Sequence, residues 1–316
     1  MVSGDDVLAF WARWFASAPG RLPSGPRVRL HSLPGSDQYP RCLADRLTIL
    51  RRHNDVLTAA LGDGRPYVLL AIAGDVFEDD DTDHHTPPPP PLDPSAFSVL
   101  VDVPVDDDDD DDDDDGPHIA VYWAPLVWST GSMDAALLAV ADETLTPPVF
   151  VSLEHGVAVR PYPGGIDVFV RSSGEVAAMS TRFAAWLPGA TGVIDLQRLI
   201  EHVHADEREA LRVLLAAEAD PYLDDDGAVS SLWLPPGALD DARLATIGTL
   251  RALTTLRCEA HDRRSPAARV TDAGLAHLHH VTTLRVLRLA RLPAVTSTAI
   301  AALRQALPNC EIDIDE

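Results

Sequence analysis

Apolar positions in the last third of the chain follow one spacing. Val229-x-x-Leu232-x-Leu234, Leu253-x-x-Leu256-x-Cys258 and Leu284-x-x-Leu287-x-Leu289 repeat it, and Cys310-x-Ile312-x-Ile314 closes the chain as a degenerate fourth copy. Leu239, Leu244, Ile247, Leu250, Leu253, Leu256 and Cys258 find apolar partners 31 residues later, at Val270, Leu275, Leu278, Val281, Leu284, Leu287 and Leu289. The next step shortens to 25 residues, reaching Val295, Ile300, Leu303, Ile312 and Ile314. The six-residue difference predicts an inserted loop around His261 to Arg269. Within each copy the period-2 stretch predicts a strand and the wider spacing a helix.

The first part of the chain is less regular. Asp5 or Asp6 is placed to cap a helix running to about Ala18, with Leu8, Trp11, Trp14 and Phe15 inward. Arg27 to Leu33 predicts a strand, about Leu43 to Leu61 a helix, and Tyr67 to Ala73 a central strand. Strands follow at Phe97 to Val105 and His118 to Trp123, then a helix at Ser132 to Asp142. Pro148 to Leu153, Val157 to Pro161 and Ile166 to Val170 predict an antiparallel meander with turns at His155-Gly156 and Pro163-Gly165. A helix at Glu175 to Leu187 turns Val176, Met179, Phe183 and Trp186 inward. Helical segments at Leu196 to Ile200 and Ala205 to Ala219 lead into the repeats, and Asp220 to Gly227 is an acidic turn. That turn is no calcium loop, because Tyr222 and Trp233 fall where one needs an Asp and a Glu.

Charge changes the picture at two loops. Of the formal −24, Asp106 to Asp115 contributes an unbroken run of ten, and Asp75 to Asp83 holds six more acids. From Val229 onward nine acids meet ten arginines. The expected acidic loops, near 75–94 and 104–117, disfavour nucleic acid by repelling phosphate. His84-His85 and the polyproline II run Pro87 to Pro91 read as surface loop. All 25 basic residues are arginine, so a phosphate-loop lysine, a Schiff-base lysine and a kinase lysine are excluded. Cys42, Cys258 and Cys310 are too few for a disulfide framework, and two occupy apolar repeat positions. No membrane-length apolar run and no leader pattern is present, so the expectation is a cytoplasmic protein with no membrane, metal or cofactor.

Ser152 to Leu187, with LEHGVAVRPYPGGIDVF followed by TRFAAWL, resembles the bacterial domain of unknown function numbered 3885. Tyr162, Gly165, Ile166, Asp167, Val168 and Trp186 carry the match. Pro163-Gly164 replaces the Asp-Asp-Arg usual before that glycine, and the family brings no assigned activity. VTDAGLAHLHHVTTLRVLRL (Val270 to Leu289) and ALPNCEI (Ala306 to Ile312) resemble bacterial leucine-rich repeats of the cysteine-containing type. The pattern of elements predicts an α+β N-terminal domain with a mixed or antiparallel sheet (1–190) and a helical linker or cap (191–228). A short α/β leucine-rich-repeat solenoid (229–316) of about three and a half repeats would follow.

Alternation then names an exposed row. With the leucines inward, Trp233, Arg257, Arg288 and Asp313 point outward, one per strand and about 4.8 Å apart, flanked by Ser231, Thr255, Val286 and Glu311. Trp and Arg favour protein interfaces. The expected function is non-enzymatic protein–protein interaction through the concave repeat face, toward an acidic partner segment or the poly-Asp loop itself. Two other classes stay open: an immunity- or antitoxin-like acidic binder, and an enzyme in the N-terminal domain. For the latter, His31, His53 and His155 are acid–base candidates without a partner by spacing. G-x-S-x-G, H-E-x-x-H, G-x-G-x-x-G and paired Cys-x-x-Cys are absent, so no catalytic residue is assigned.

Overall fold

The computed structural model describes residues 2–15, 25–74, 96–104, 118–189, 196–258, 267–290 and 292–314. The poly-Asp and polyproline runs, His84-His85 and most of the His261–Arg269 loop lie outside them. The chain divides into two compact units: 1–40 with 47–194, and 41–46 with 195–316.

The first unit is built from α1 (Gly4–Phe15), β1 (Arg27–His31), α2 (Leu43–Leu61), β2 (Pro66–Gly74), β3 (Ser98–Pro104) and β4 (His118–Val127). It continues with α3 (Asp134–Ala141), β5 (Val149–Ser152), β6 (Val157–Tyr162), β7 (Gly165–Phe169) and α4 (Ser173–Arg182). Its seven strands form one sheet in the order β1-β7-β6-β5-β2-β4-β3, and every pairing is antiparallel. The sheet is buried on both faces at its centre. Leu69, Phe150, Val159, Ile166 and Val168 pack with Val56, Leu57 and Leu61 of α2 and Leu137 of α3. Val68, Leu70, Val149, Val151, Ala158 and Phe169 pack on the other side with Val7, Phe10 and Trp11 of α1. Strand positions alternate between faces, so consecutive residues such as Val68 and Leu69 serve different cores.

Ser3, not Asp5 or Asp6, caps α1. Its Oγ accepts from the Asp6 amide at 3.2 Å, while the Asp6 carboxylate accepts from the Ser3 amide at 2.9 Å. The inward stripe is therefore Val7, Phe10 and Trp11, with Leu8 only half-buried; the side chains of Trp14 and Phe15 lie outside those described. Ser172 and Glu175 form the same reciprocal cap on α4. In α2 the spacing of Leu47, Leu50, Val56, Leu57 and Leu61 puts them mainly on one side, yet Leu47 is exposed, and Arg52, His53 and Asn54 are buried. Asn54 explains its own burial: it donates to Asp134 and accepts from the Gly131 amide, fixing the entry to α3.

The second unit holds α5 (Leu199–His202), α6 (Arg208–Leu215), β8 (Asp220–Leu223), β9 (Val229–Trp233), α7 (Asp241–Ile247) and β10 (Thr255–Cys258). It ends with α8 (Asp272–Ala276), β11 (Val286–Leu289), α9 (Ser297–Ala306) and β12 (Glu311–Ile314). The sheet order is β12-β11-β10-β9-β8, with β9 to β12 parallel and β8 antiparallel to β9.

This overturns the expected leucine-rich-repeat solenoid. The unit is an open, mixed five-stranded sheet with helices packed into it. It begins with an antiparallel hairpin and has only three parallel steps, spanned by helices of 7, 5 and 10 residues. The reason is physical. Recurrent Leu-x-x-Leu-x-Leu spacing with intervening helical periodicity is what any strand–helix–strand unit needs to bury one sheet face, so it reports layering and not a superhelix. The first sheet likewise has no parallel pair, so of the two expected arrangements it takes the antiparallel one.

One core runs through the second unit, from Leu199, Val203, Leu211 and Leu214 to Val229, Leu232, Leu256, Leu287 and Leu303. The segment read as a linker or cap therefore contributes to the same interior as the parallel strands. Successive helices are also tied at their starts. Asp241 accepts from both the amide and hydroxyl of Thr271, and Asp272 does the same for Thr296. Thr271 and Thr296 are the N-caps of α8 and α9, so each link fixes where the next helix begins.

Candidate functional site

In the second unit the strand register decides which side chains share a surface. Leu232, Leu256 and Leu287 are cross-strand partners, all fully buried, with Ile312 at the edge. Residues one place on must face the opposite way. There Trp233 pairs with Arg257, Arg257 with Arg288, and Arg288 with Asp313. The structure thus brings all four predicted residues into one row. Ser231, Thr255, Val286 and Glu311 form a second row in register with it. Arg257 and Asp313 are exposed, Trp233 and Arg288 half-buried. Arg288 reaches Glu311 at 3.6 Å. The Arg257 guanidinium has no hydrogen bond or ion pair among the described residues.

The acidic turn read at 220–227 conceals two further members. Its first half is β8, which places Asp220 opposite Trp233 and Tyr222 opposite Ser231. The long row therefore reads Asp220, Trp233, Arg257, Arg288, Asp313. Arg41 joins at that end: it ion-pairs with Asp220, and its guanidinium lies 4.8 Å from the Tyr222 ring centre. A signal was available, since Asp-Pro-Tyr-Leu alternates and a glycine sits four residues later. Gly227 has φ +78°, and a Cβ there would meet the carbonyl of His202. Asp224 completes the turn by accepting from the amides of Asp226 and Ala228. Its carboxylate is thus committed to the hairpin, although it also lines a cleft of about 540 Å³ with His204, Asp226 and Arg251. Among the described residues no cluster of three or more His, Cys, Asp or Glu side chains is arranged to hold a metal.

The acid–base candidates of the first unit do not assemble. His155 is exposed, its Nδ1 3.1 Å from the Ala60 carbonyl. His31 ends β1 half-buried, its pKa lowered by burial and by Arg52 and Arg29. His53 lies fully enclosed in α2, with Nε2 2.7 Å from Ser32 Oγ. A serine and histidine at that distance have the geometry of a nucleophile and its base. Here the pair is sealed: Ser32 is 1% exposed and His53 0%. Burial, then Arg52, drops the His53 pKa to about 3, too weak a base for neutral pH. His53 Nδ1 has no hydrogen-bond partner among the described residues, so no third group orients the ring. The pair is a buried polar lock between α2 and the residue that follows β1.

Two of the three thiols are equally inert. Cys42 and Cys258 are buried, and burial pushes the Cys258 thiol up to about 12.

Residues 14–190 match the model of a family described as a domain of unknown function, DUF3885. The match covers most of the first unit and stops before the second sheet. No curated protein matches the chain.

Proposed function

The chain belongs to the DUF3885 family, and from that footing we propose that it is a binding protein that engages a protein partner through the outer face of its second sheet. One observation carries the reading: five strands hold Asp220, Trp233, Arg257, Arg288 and Asp313 in register on a single surface. Strands about 4.8 Å apart make this a rigid array. Two guanidiniums lie at its centre, a Trp stands beside them and a carboxylate closes each end. A complementary partner presents carboxylates to Arg257 and Arg288 and an apolar side chain to Trp233. The sealed Ser32–His53 pair supports binding over catalysis, because a reactant has no route to it. A cytosolic setting suits the unpaired thiols. Among the described residues no helix is long and apolar enough to cross a membrane.

The test compares capture by the full chain and by Trp233→Ala/Arg257→Ala from native lysate. The expected result is loss of the captured protein while the melting temperature stays within a few degrees, as the two side chains lie outside the core. Equal capture by a normally folded variant would sink the reading.

A further inference from the structure

A second polar surface lies on the first sheet. On the α1 side, three cross-strand rows span β1, β7 and β6: Arg27–Phe169–Ala158, Arg29–Asp167–Arg160 and His31–Gly165–Tyr162. Partners in one row point to the same face, so Arg27, Arg29 and Arg160 surround the single carboxylate of Asp167. Three cations against one anion leave a net charge of about +2, with His31 neutral. Composition does not explain this, since the chain as a whole carries −24.

The internal pairing is already complete. Arg29 holds Asp167 bidentately, at 3.0 Å from Nε to Oδ1 and 3.0 Å from Nη2 to Oδ2, and Asp167 is nearly buried. Arg27 reaches the same carboxylate only at 3.7 Å and is half-exposed. The Arg160 guanidinium has no hydrogen bond or ion pair among the described residues, and its Nε is shut off from solvent. Burial lowers its pKa, the mark of a guanidinium partly stripped of water without an anion of its own. A network needed only to neutralise Asp167 would stop at Arg29. Tyr162 completes the surface. A Cβ at Gly165 would collide with its hydroxyl, so the glycine gives the ring its place. Burial and Asp167 push the phenol up to about 12, so it remains a hydrogen-bond donor at neutral pH.

We propose that Arg27, Arg160 and Tyr162, braced by the Arg29–Asp167 pair, form a binding site for a phosphate group, free or as a small phosphate monoester. Guanidinium forks match tetrahedral oxyanions bidentately, and a dianion satisfies the +2 that a single carboxylate does not. An oxyanion also supplies the partner that the half-buried Arg160 lacks. The site is independent of the second sheet.

Calorimetric titration of the full chain at constant ionic strength tests this, with inorganic phosphate, phenyl phosphate and acetate as probes. Saturable binding of phosphate or its ester, without saturable acetate binding, is expected. Preference between the first two separates free phosphate from an ester as the source. Arg160→Gln and Arg27→Gln should each weaken the interaction about tenfold, the loss of one charge-assisted hydrogen bond. Arg27 is half-exposed on an edge strand, so its variant keeps the test valid if Arg160→Gln does not fold. Trp233→Ala/Arg257→Ala should bind phosphate normally. No saturable phosphate binding, or equal affinity in a folded Arg27→Gln, would overturn the assignment.

Discussion

The two sheets solve burial in opposite ways. The first is antiparallel and covered on both faces at its centre, by α1 on one side and α2 and α3 on the other. Its central strands include continuous apolar runs, such as Tyr67-Val68-Leu69-Leu70, because there every side chain meets a core. The second alternates: Leu232, Leu256 and Leu287 face the helices, while Trp233, Arg257 and Arg288 face away. Sheet centres buried twice have little room for polar chemistry, and the polar cluster of the first sheet accordingly sits at its β1–β7–β6 end. A sheet buried once has a whole face available for contacts. The difference leaves the second sheet with an open polar face and makes the first the more tightly determined scaffold.

Adjacent substitutions break or confirm that contrast most sharply. In the first sheet, Val68→Ala and Leu69→Ala should both be costly, about 1–3 and 2–5 kcal/mol respectively, since each leaves a cavity in a different core. In the second, Leu256→Ala should cost about 2–5 kcal/mol and its neighbour Arg257→Ala less than about 0.5 kcal/mol. Chemical denaturation of the four variants measures this. A costly Arg257→Ala would mean that the outer face is packed and the contrast false.

Acid distinguishes the units next. His53 is neutral in the folded first unit, with a pKa near 3, against the usual 6.5. Unfolded chains bind that proton more readily, so the stability His53 confers is complete above about pH 6.5 and is lost as pH falls toward 3. Between pH 7 and pH 5 the loss from this one group is about 2 kcal/mol. His53→Gln should flatten that part of the stability–pH curve; an unchanged slope would show that other groups govern it.

A smaller effect than that of acid belongs to the second unit's helix links. Asp272→Ala removes the acceptor for both the Thr296 amide and hydroxyl. It should cost about 1 kcal/mol, as the site is exposed and water replaces part of the pairing. Amide hydrogen exchange should report the loss at the start of α9, and unchanged protection there would show that the link does not hold the helix.

Legibility differs between the units for the same reason. A continuous apolar run names β2 in the first sheet, but a run cannot say which neighbour it pairs with, so the place of β2 between β4 and β5 is not readable from it. The α1 cap is ambiguous because Asp5, Asp6 and Ser3 all suit that role, and only geometry selects Ser3. The spacing in α2 places Leu47 on its apolar side and gives no sign of a buried His53. The Ser32–His53 contact joins residues 21 positions apart, one just past the end of β1 and the other on α2. In the second unit strict alternation is enough to place Trp233, Arg257, Arg288 and Asp313 on one face. It misses Asp220 and Tyr222, because an acidic stretch resembles a turn until a strand pairs with it.

Sequence alone therefore determined the period of the repeat strands, four of the five members of the outward row and the family of residues 14–190, since these follow from local spacing and short motifs. Tertiary structure decided the rest: that the repeated spacing builds a mixed open sheet with an antiparallel edge, that a serine and histidine are sealed away from reactants, and that three arginines gather around one carboxylate. Those outcomes depend on which strands become neighbours. Pairing is fixed by the burial of the whole core, which no single stretch of the chain encodes.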